Sequence, residues 1–306
     1  MQTMINSVDF LPAATGLWLM VSSGKFHLRI TISSLMLWFF LHWHYMGLPP
    51  LTGLSGPVIL FAYIILLITP QTYRAISNPV CSLILLSATP GLVNHPPRTG
   101  TALPGSWLIA HVVPTIAGIA LLAVAFLRGV HLLLKADMPF KAFGLAGAAT
   151  AGAWFGALAG RAVWLATGQP QVLTWAGAVA GSMGVSLTLT VFLAARGRGK
   201  FIDSEAIRSG QSIEKCIFAG WFLYGLGGIV IGAAWASGAW GRAWSWDPKE
   251  TLALATFIYY AICLVLLKIW NSAKPEWAAT VAVAGFVLTT ATWFGVNLLT
   301  ATHHSY

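Results

Sequence analysis

The chain has 306 residues, 57% of them hydrophobic and only 8% charged, with a formal net charge of +9. A soluble domain needs a far more polar surface, so the composition excludes a soluble enzyme or binding module. It reads as all-α, a polytopic helix bundle in a lipid bilayer. In such a protein the positive excess belongs to inside loops facing lipid headgroups, not to nucleic acid.

Apolar runs follow one another along the chain at 8–23, 28–46, 54–69, 80–93, 108–134, 143–166, 172–195, 216–235, 252–270 and 277–300. Most are long enough to cross about 30 Å of hydrocarbon. Each is expected to be α-helical, because no water is present there to satisfy the backbone. The apolar stretch from Phe10 to Ser22 lacks a basic start and reads as retained, not as a cleaved signal peptide. Nine spans follow without it and ten with it. The runs at 54–69 and 80–93 are short, broken by Thr69-Pro70 and by Ala88-Thr89-Pro90, and read as tilted or partly re-entrant. Residues 1–306 form a single membrane domain, with no soluble domain and no internal repeat.

Lys and Arg set the orientation. One set of loops holds Lys25, Arg29, Arg74, Lys135, Lys141, Arg196, Arg198, Lys200, Arg208, Lys215, Lys268 and Lys274; the other holds little beyond Arg98, Arg242 and Lys249. The first set belongs inside. The segment around Arg242, the loop at 92–106 and the C-terminus then lie outside. The longest inside loop, 196–214, mixes charge with Gly and Ser and reads as a solvated connector. The three cysteines, Cys81, Cys216 and Cys263, are isolated. They indicate neither a disulfide framework nor a thiol-redox pair. No C-x-x-C-H occurs, so covalent c-type haem on this chain is not expected.

The densest feature is 235–251, W-A-S-G-A-W-G-R-A-W-S-W-D-P-K-E-T, with Trp235, Trp240, Trp244 and Trp246. Gly238 and Gly241 interrupt it, which predicts a loop or a short surface helix. Asp247 reads as the N-cap of the next helix, Pro248 as its first residue, and Glu250 as the partner that reaches back to close a capping box. Tryptophan at a span end is most often an interfacial anchor. Four indoles in so short a segment, mixed with Gly and Arg242, are dense for anchoring alone. Clustered indoles can build a flat apolar platform for a planar aromatic ligand.

Eight histidines could carry chemistry at that platform: His27, His42, His44, His95, His111, His131, His303 and His304. Neutral imidazole is a common axial ligand of haem iron. His111 begins a span at its outer end, and His303 and His304 close the chain at the same depth. A lone His at a span end is usually just a polar interfacial residue; two at the level of an aromatic platform point to ligation. His131 follows His111 by twenty residues, roughly 30 Å along a helix, and so lies near the inner face. His27 lies at the inner end of its own span. The pair His27 and His131 either ligates a second, inner haem or is solvated. His42 and His44 are about 200° apart on a helix, so at most one faces a given site. His95, beside Pro96-Pro97, reads as exposed. Arg161, inside a span, needs an anionic partner such as a haem propionate, or else snorkels.

W-G-R-A-W-S-W-D-P-K-E-T resembles the tryptophan-rich WWD signature of haem-handling cytochrome c biogenesis proteins. It is closer to the CcsA (ResC-type) branch than to CcmC or CcmF. The resemblance extends to G-L-P-P-L at 47–51, W-L-I-A-H-V at 107–112 and the C-terminal G-V-N-L-L-x-x-x-x-H-S-Y; the stretch 143–195 is the least distinctive. It implies that Trp235, Trp240, Trp244, Trp246 and Asp247 belong to a loop holding non-covalent haem b on the outer face. His111 and His304 would be its axial ligands, with His303 the weaker candidate. It further implies a bacterial inner or plasma membrane, or a thylakoid membrane. The implied partners are a CcsB (ResB-type) membrane protein and an apocytochrome c, within a cytochrome c synthase. The sequence departs from the family at one point. Members carry a further His about fourteen residues past the D-P-K-E-T threonine; here Val265 stands there, and 252–270 contains no His. The family's route for haem across the membrane is thereby in question. Two functions follow: haem delivery to apocytochrome c, or a fixed haem b subunit carrying electrons from quinol on the same fold.

Overall fold

The computed structural model describes residues 10–21, 25–47, 49–51, 55–94, 105–135, 144–150, 152–153, 157, 203–269 and 274–295. His95, Arg161, His303, His304 and most of the runs expected at 143–166 and 172–195 lie outside the described residues.

Among the described residues all regular structure is helical. The order is α1 (Leu11–Val21), α2 (Lys25–Met46), α3 (Ser55–Ile68), a 3₁₀ turn (Gln71–Tyr73), α4 (Arg74–Asn94) and α5 (Gly105–Lys135). After the intervening segment come α6 (Asp203–Tyr224), a π-helical segment (Gly225–Ile231), α7 (Gly232–Trp240), α8 (Pro248–Ile269), α9 (Pro275–Thr290) and a π turn (Ala291–Gly295). Among the described residues four continuous helices are long and apolar enough to cross a membrane: Ser106–Leu134, Ser204–Trp240, Pro248–Ile269 and Pro275–Phe294. The run expected to be short at 54–69 is the short apolar helix Ser55–Ile68, whereas α4 runs helical for 21 residues through Pro90, so the break expected at Ala88-Thr89-Pro90 does not occur. Helix α1 has 11 residues, about 16 Å of length, against the roughly 30 Å that a crossing needs.

Helix α5 is the axis of the bundle. It packs against α6, α9 and α3, and its upper turns meet the π segment. From Ile116 to Leu133 it is buried on nearly every face, including Ala120, Leu122, Ala125, Leu132 and Leu133. A helix that is apolar all round belongs in the interior, and α5 occupies that place. The outer helices present apolar ridges instead. On α8, Ile258, Ile262, Val265 and Ile269 are exposed at helical spacing, and on α2 so are Phe26, Met36, Leu37 and Phe40. In water such ridges would be a liability; against lipid tails they match the solvent.

The stretch expected as a solvated connector, 196–214, is helical from Asp203. Ala206, Gly210, Ile213 and Ile217 are buried while Glu205, Arg208, Gln211 and Lys215 are exposed. The mixed composition is that of an amphipathic helix: the small and apolar residues recur at the helical period and the charges occupy the opposite face. Gly210 packs against Pro275 at the start of α9, where an added Cβ would lie 2.9 Å from Pro275 Cα.

Candidate functional site

Of the two forms expected, loop or short surface helix, the tryptophan segment begins as helix. Trp235 and Gly238 lie in α7, which continues α6 through the π segment. The helix stops at Gly241, whose φ of 72° is left-handed and whose N–H donates to Ser237 O at 3.0 Å. Glycine adopts that conformation without steric cost, which makes it a helix terminator. Residues 241–247 form the connection to α8.

Asp247 starts α8 as expected. Its Oδ1 accepts from Lys249 N at 2.8 Å and Glu250 N at 3.1 Å, and Pro248 opens the helix. The expected return contact from Glu250 to the cap residue is replaced by another. Glu250 Oε2 accepts from Ser245 N at 2.7 Å and from Ser245 Oγ at 2.9 Å. One carboxylate oxygen thereby takes two donors where the ordinary box supplies one. Trp246, between them, has a φ of 58°. A bulky side chain in that region costs on the order of 1–3 kcal/mol. The turn is held on both sides, because Thr251 Oγ1 donates to Trp246 O at 3.3 Å. D-P-K-E-T is thus a clamp that fixes a strained, 70% exposed indole at the surface.

The four indoles do not lie in one plane. Trp235 and Trp240 meet at 79° with centroids 4.8 Å apart, and Trp244 and Trp246 meet at 81° with centroids 6.1 Å apart. Edge-to-face contact satisfies the ring quadrupoles better than a flat array. Instead, Trp235 lies parallel to His111, with a 5° interplanar angle and centroids 6.1 Å apart. Trp244 is half-buried, and its Nε1 is buried without a hydrogen-bond partner among the described residues.

His111 sits near the start of α5, one turn before Pro114. Its Nδ1 lies 2.8 Å from Gly227 O. A carbonyl only accepts, so Nδ1 carries the proton and the neutral ring keeps its lone pair on Nε2. That is the tautomer a metal ligand needs, and a backbone carbonyl behind the ring is its usual support. Gly227 belongs to the π segment, and Gly232 N–H donates to the same carbonyl. The approach is close. A Cβ on Gly227 would lie 2.6 Å from Thr115 N, and one on Gly232 would lie 3.1 Å from His111 Cε1. Gly227, Gly232 and Thr115, whose Oγ1 donates to His111 O, are neighbours of His111 that the sequence did not single out. The available signal was Y-G-L-G-G-I-V-I-G inside an apolar run, since clustered small residues in a span mark close helix approach.

The other candidates are placed separately. His131 is buried near the end of α5, edge-on to Tyr73 at 5.3 Å, whereas His27 packs on Trp18 at 5.1 Å. Of the pair two residues apart, His42 is buried beside Trp38 while His44 is exposed and stacked on Phe40. Val265, in place of the family's histidine, is 58% exposed on the outer ridge of α8.

A tied-back imidazole with Trp235 parallel to it and Trp240 edge-on to Trp235 offers a nitrogen donor beside apolar rings, a donor set that suits a haem. His111 Nε2 would hold the iron, and the indoles would wall the macrocycle. Fold and site together define a helical membrane protein with an aromatic, histidine-bearing site at one end of its bundle. The family model of cytochrome C assembly proteins matches residues 26–304, and the chain belongs to that family. Relatives named cytochrome c biogenesis protein CcsA include that of Chlamydomonas reinhardtii, 37% identical over 138 residues covering 44% of this chain and 38% of its own. That of Gloeobacter violaceus is 38% identical over 144 residues, 43% of this chain and 40% of the relative. That of Mesostigma viride is 51% identical over 81 residues, 26% of each chain. The matches thus span between about a quarter and two fifths of the length of these relatives.

Proposed function

We propose that this chain holds haem b non-covalently at the tryptophan-rich end of the bundle, on the outer side of the membrane, and presents it to an apocytochrome c. The observation that supports the reading is the hydrogen bond from His111 Nδ1 to Gly227 O at 2.8 Å, which puts the ring's lone pair on Nε2, the form a metal ligand takes. His304 supplies the opposite ligand. Nine residues separate it from Gly295, a reach of up to about 30 Å, and the π turn ending at Gly295 packs against α8, the helix that carries the clamp. Haem supplies the iron and the vinyl groups that a C-x-x-C-H acceptor consumes; the chain supplies orientation and an apolar, accessible surface. A CcsB (ResB-type) protein is the partner for this work.

The test is spectroscopic. His111→Ala and His304→Ala each strip or weaken one low-spin bis-His haem, and added imidazole partly restores the spectrum. His303→Ala does much less. Replacing Trp240, Trp244 and Trp246 together by Ala abolishes haem binding while membrane insertion is kept. Unchanged haem in both His variants would sink the reading.

The alternative is a fixed haem b electron carrier linked to quinol. It draws on Val265, which leaves the outer ridge of α8 apolar where the family carries a histidine, and on His27 and His131 as ligands of a second haem. Haem stoichiometry separates the two. A carrier retains one or two haems per chain through purification, whereas a delivery protein retains less than one.

A further inference from the structure

At the opposite end of α5 from His111 stands a second polar cluster that the outer site does not use. Arg128 lies inside the span Ser106–Leu134, seventeen residues or about 25 Å from His111. Its Nη1 donates to Ser212 Oγ and lies 3.5 Å from Cys216 Sγ, and its Cζ stands 5.6 Å from the Tyr73 ring centroid. Among the described residues these partners are all neutral. Burying a guanidinium in a span without an anion is expensive, and such a residue faces a polar cavity or an anionic partner. The edge used by Ser212 and Cys216 is Nη1. The Nε edge, the one that pairs side-on with carboxylate or phosphate, is buried and makes no hydrogen bond among the described residues.

Three more groups at this end share that condition. Arg74 Nε, next to Tyr73 at the start of α4, is buried without a hydrogen bond among the described residues; so are Ser77 Oγ one turn later and Ser209 Oγ one turn before Ser212. Tyr73 joins these elements, because its ring meets both Arg128 and His131. Every one of the four is an N–H or O–H group able to donate. A buried donor without an acceptor is destabilising, more so when charged. Two guanidinium N–H groups and two hydroxyls at one end of the bundle describe a receptor for an oxygen anion.

We propose that Arg128 and Arg74, with Ser77 and Ser209, bind an oxyanion at the inner end of the bundle. It is either the phosphate of an anionic lipid headgroup or the carboxylate of a porphyrin propionate. Basic pockets between spans on the inner side are suited to anionic headgroups, and a propionate offers the same pair of acceptor oxygens. The site stands independently of the outer haem site.

The test uses the full chain, purified in detergent, with Arg128→Gln, Arg74→Gln, the double variant, and Arg128→Lys. Lipid retention is read by native mass spectrometry with phosphatidylglycerol against phosphatidylcholine. Porphyrin binding is read by titration with haemin against haemin dimethyl ester, whose carboxylates are blocked. The expected result is preferential binding of one acidic ligand, weakened about tenfold or more in Arg128→Gln and less in Arg128→Lys. Loss confined to phosphatidylglycerol assigns the phosphate; loss confined to haemin, with the dimethyl ester binding weakly to wild type, assigns the propionate. The haemin titrations are repeated in the His111→Ala background, so that haem at the outer site reads separately from binding that depends on Arg128. Helical circular dichroism and monodisperse elution verify that each variant folds; if the double variant fails them, the single variants decide. Equal affinity of wild type and Arg128→Gln for both acidic ligands overturns the proposal.

Discussion

At the scale of single residues, the site depends on where one proton sits. In the proposed haem site, His111 must keep Nδ1–H on Gly227 O to leave Nε2 for the iron. Gly232 guards that geometry, with an added Cβ 3.1 Å from His111 Cε1 and 3.2 Å from Nδ1. Gly232→Ala is tight but can be absorbed by a shift of a few tenths of an ångström, whereas Gly232→Leu displaces the ring. The expected outcome is a modest fall in haem occupancy for Ala and near loss for Leu, read from the Soret absorbance per chain. A second prediction concerns Asp247, whose Oδ1 satisfies two amides at the start of α8. Asp247→Ala costs about 0.5–2 kcal/mol and Asp247→Asn much less, measured by thermal melting in detergent. Equal melting temperatures for both variants would show that the cap does not stabilise the helix.

Among elements, the π segment and the clamp decide the geometry. A π segment adds a residue to the turn and turns carbonyls away from the regular ladder, and such segments occur often at functional sites. Here the carbonyl concerned, Gly227 O, meets both Gly232 N–H and His111. Gly227→Ala would put a methyl group 2.6 Å from Thr115 N and 2.7 Å from Thr115 Oγ1, forcing α5 and the π segment apart. Overpacking of this kind costs about 1–3 kcal/mol. Both the melting temperature and the haem content should drop, whereas Gly232→Ala affects chiefly haem content. The clamp yields a further expectation. Glu250→Ala removes the acceptor shared by Ser245 N and Ser245 Oγ, releasing Trp246 from its left-handed turn. Faster hydrogen exchange at residues 244–247 with unchanged exchange in the middle of α8 is the expected signature.

Across the whole molecule, one helix carries both polar ends. Helix α5 holds His111 near its start and Arg128 and His131 near its end, with an almost entirely buried apolar stretch between them. The expected consequence is independence. His111→Ala and Arg128→Gln, being about 25 Å apart along the axis, should have additive effects on thermal stability to within about 0.5 kcal/mol. A larger coupling would mean that the two ends share a ligand or a conformational change.

Composition alone identified a helical membrane protein, because an almost uncharged, apolar chain has no other stable surface. The motif at 235–251 led to the family, the aromatic end and the Asp247 cap, since helix starts are written in local sequence and need only neighbouring residues. The amphipathic start of α6 was misread because its charges were weighed by composition and not by period. What only the tertiary structure decided concerns contacts between segments distant in sequence. No local pattern pairs His111 with a carbonyl 116 residues away, stacks it on Trp235, or sets Arg128 against Tyr73 and Ser212. The edge-to-face indoles belong to the same class. Their number and spacing are local, but the angle between two rings is settled by the backbone turns and packing that bring them together.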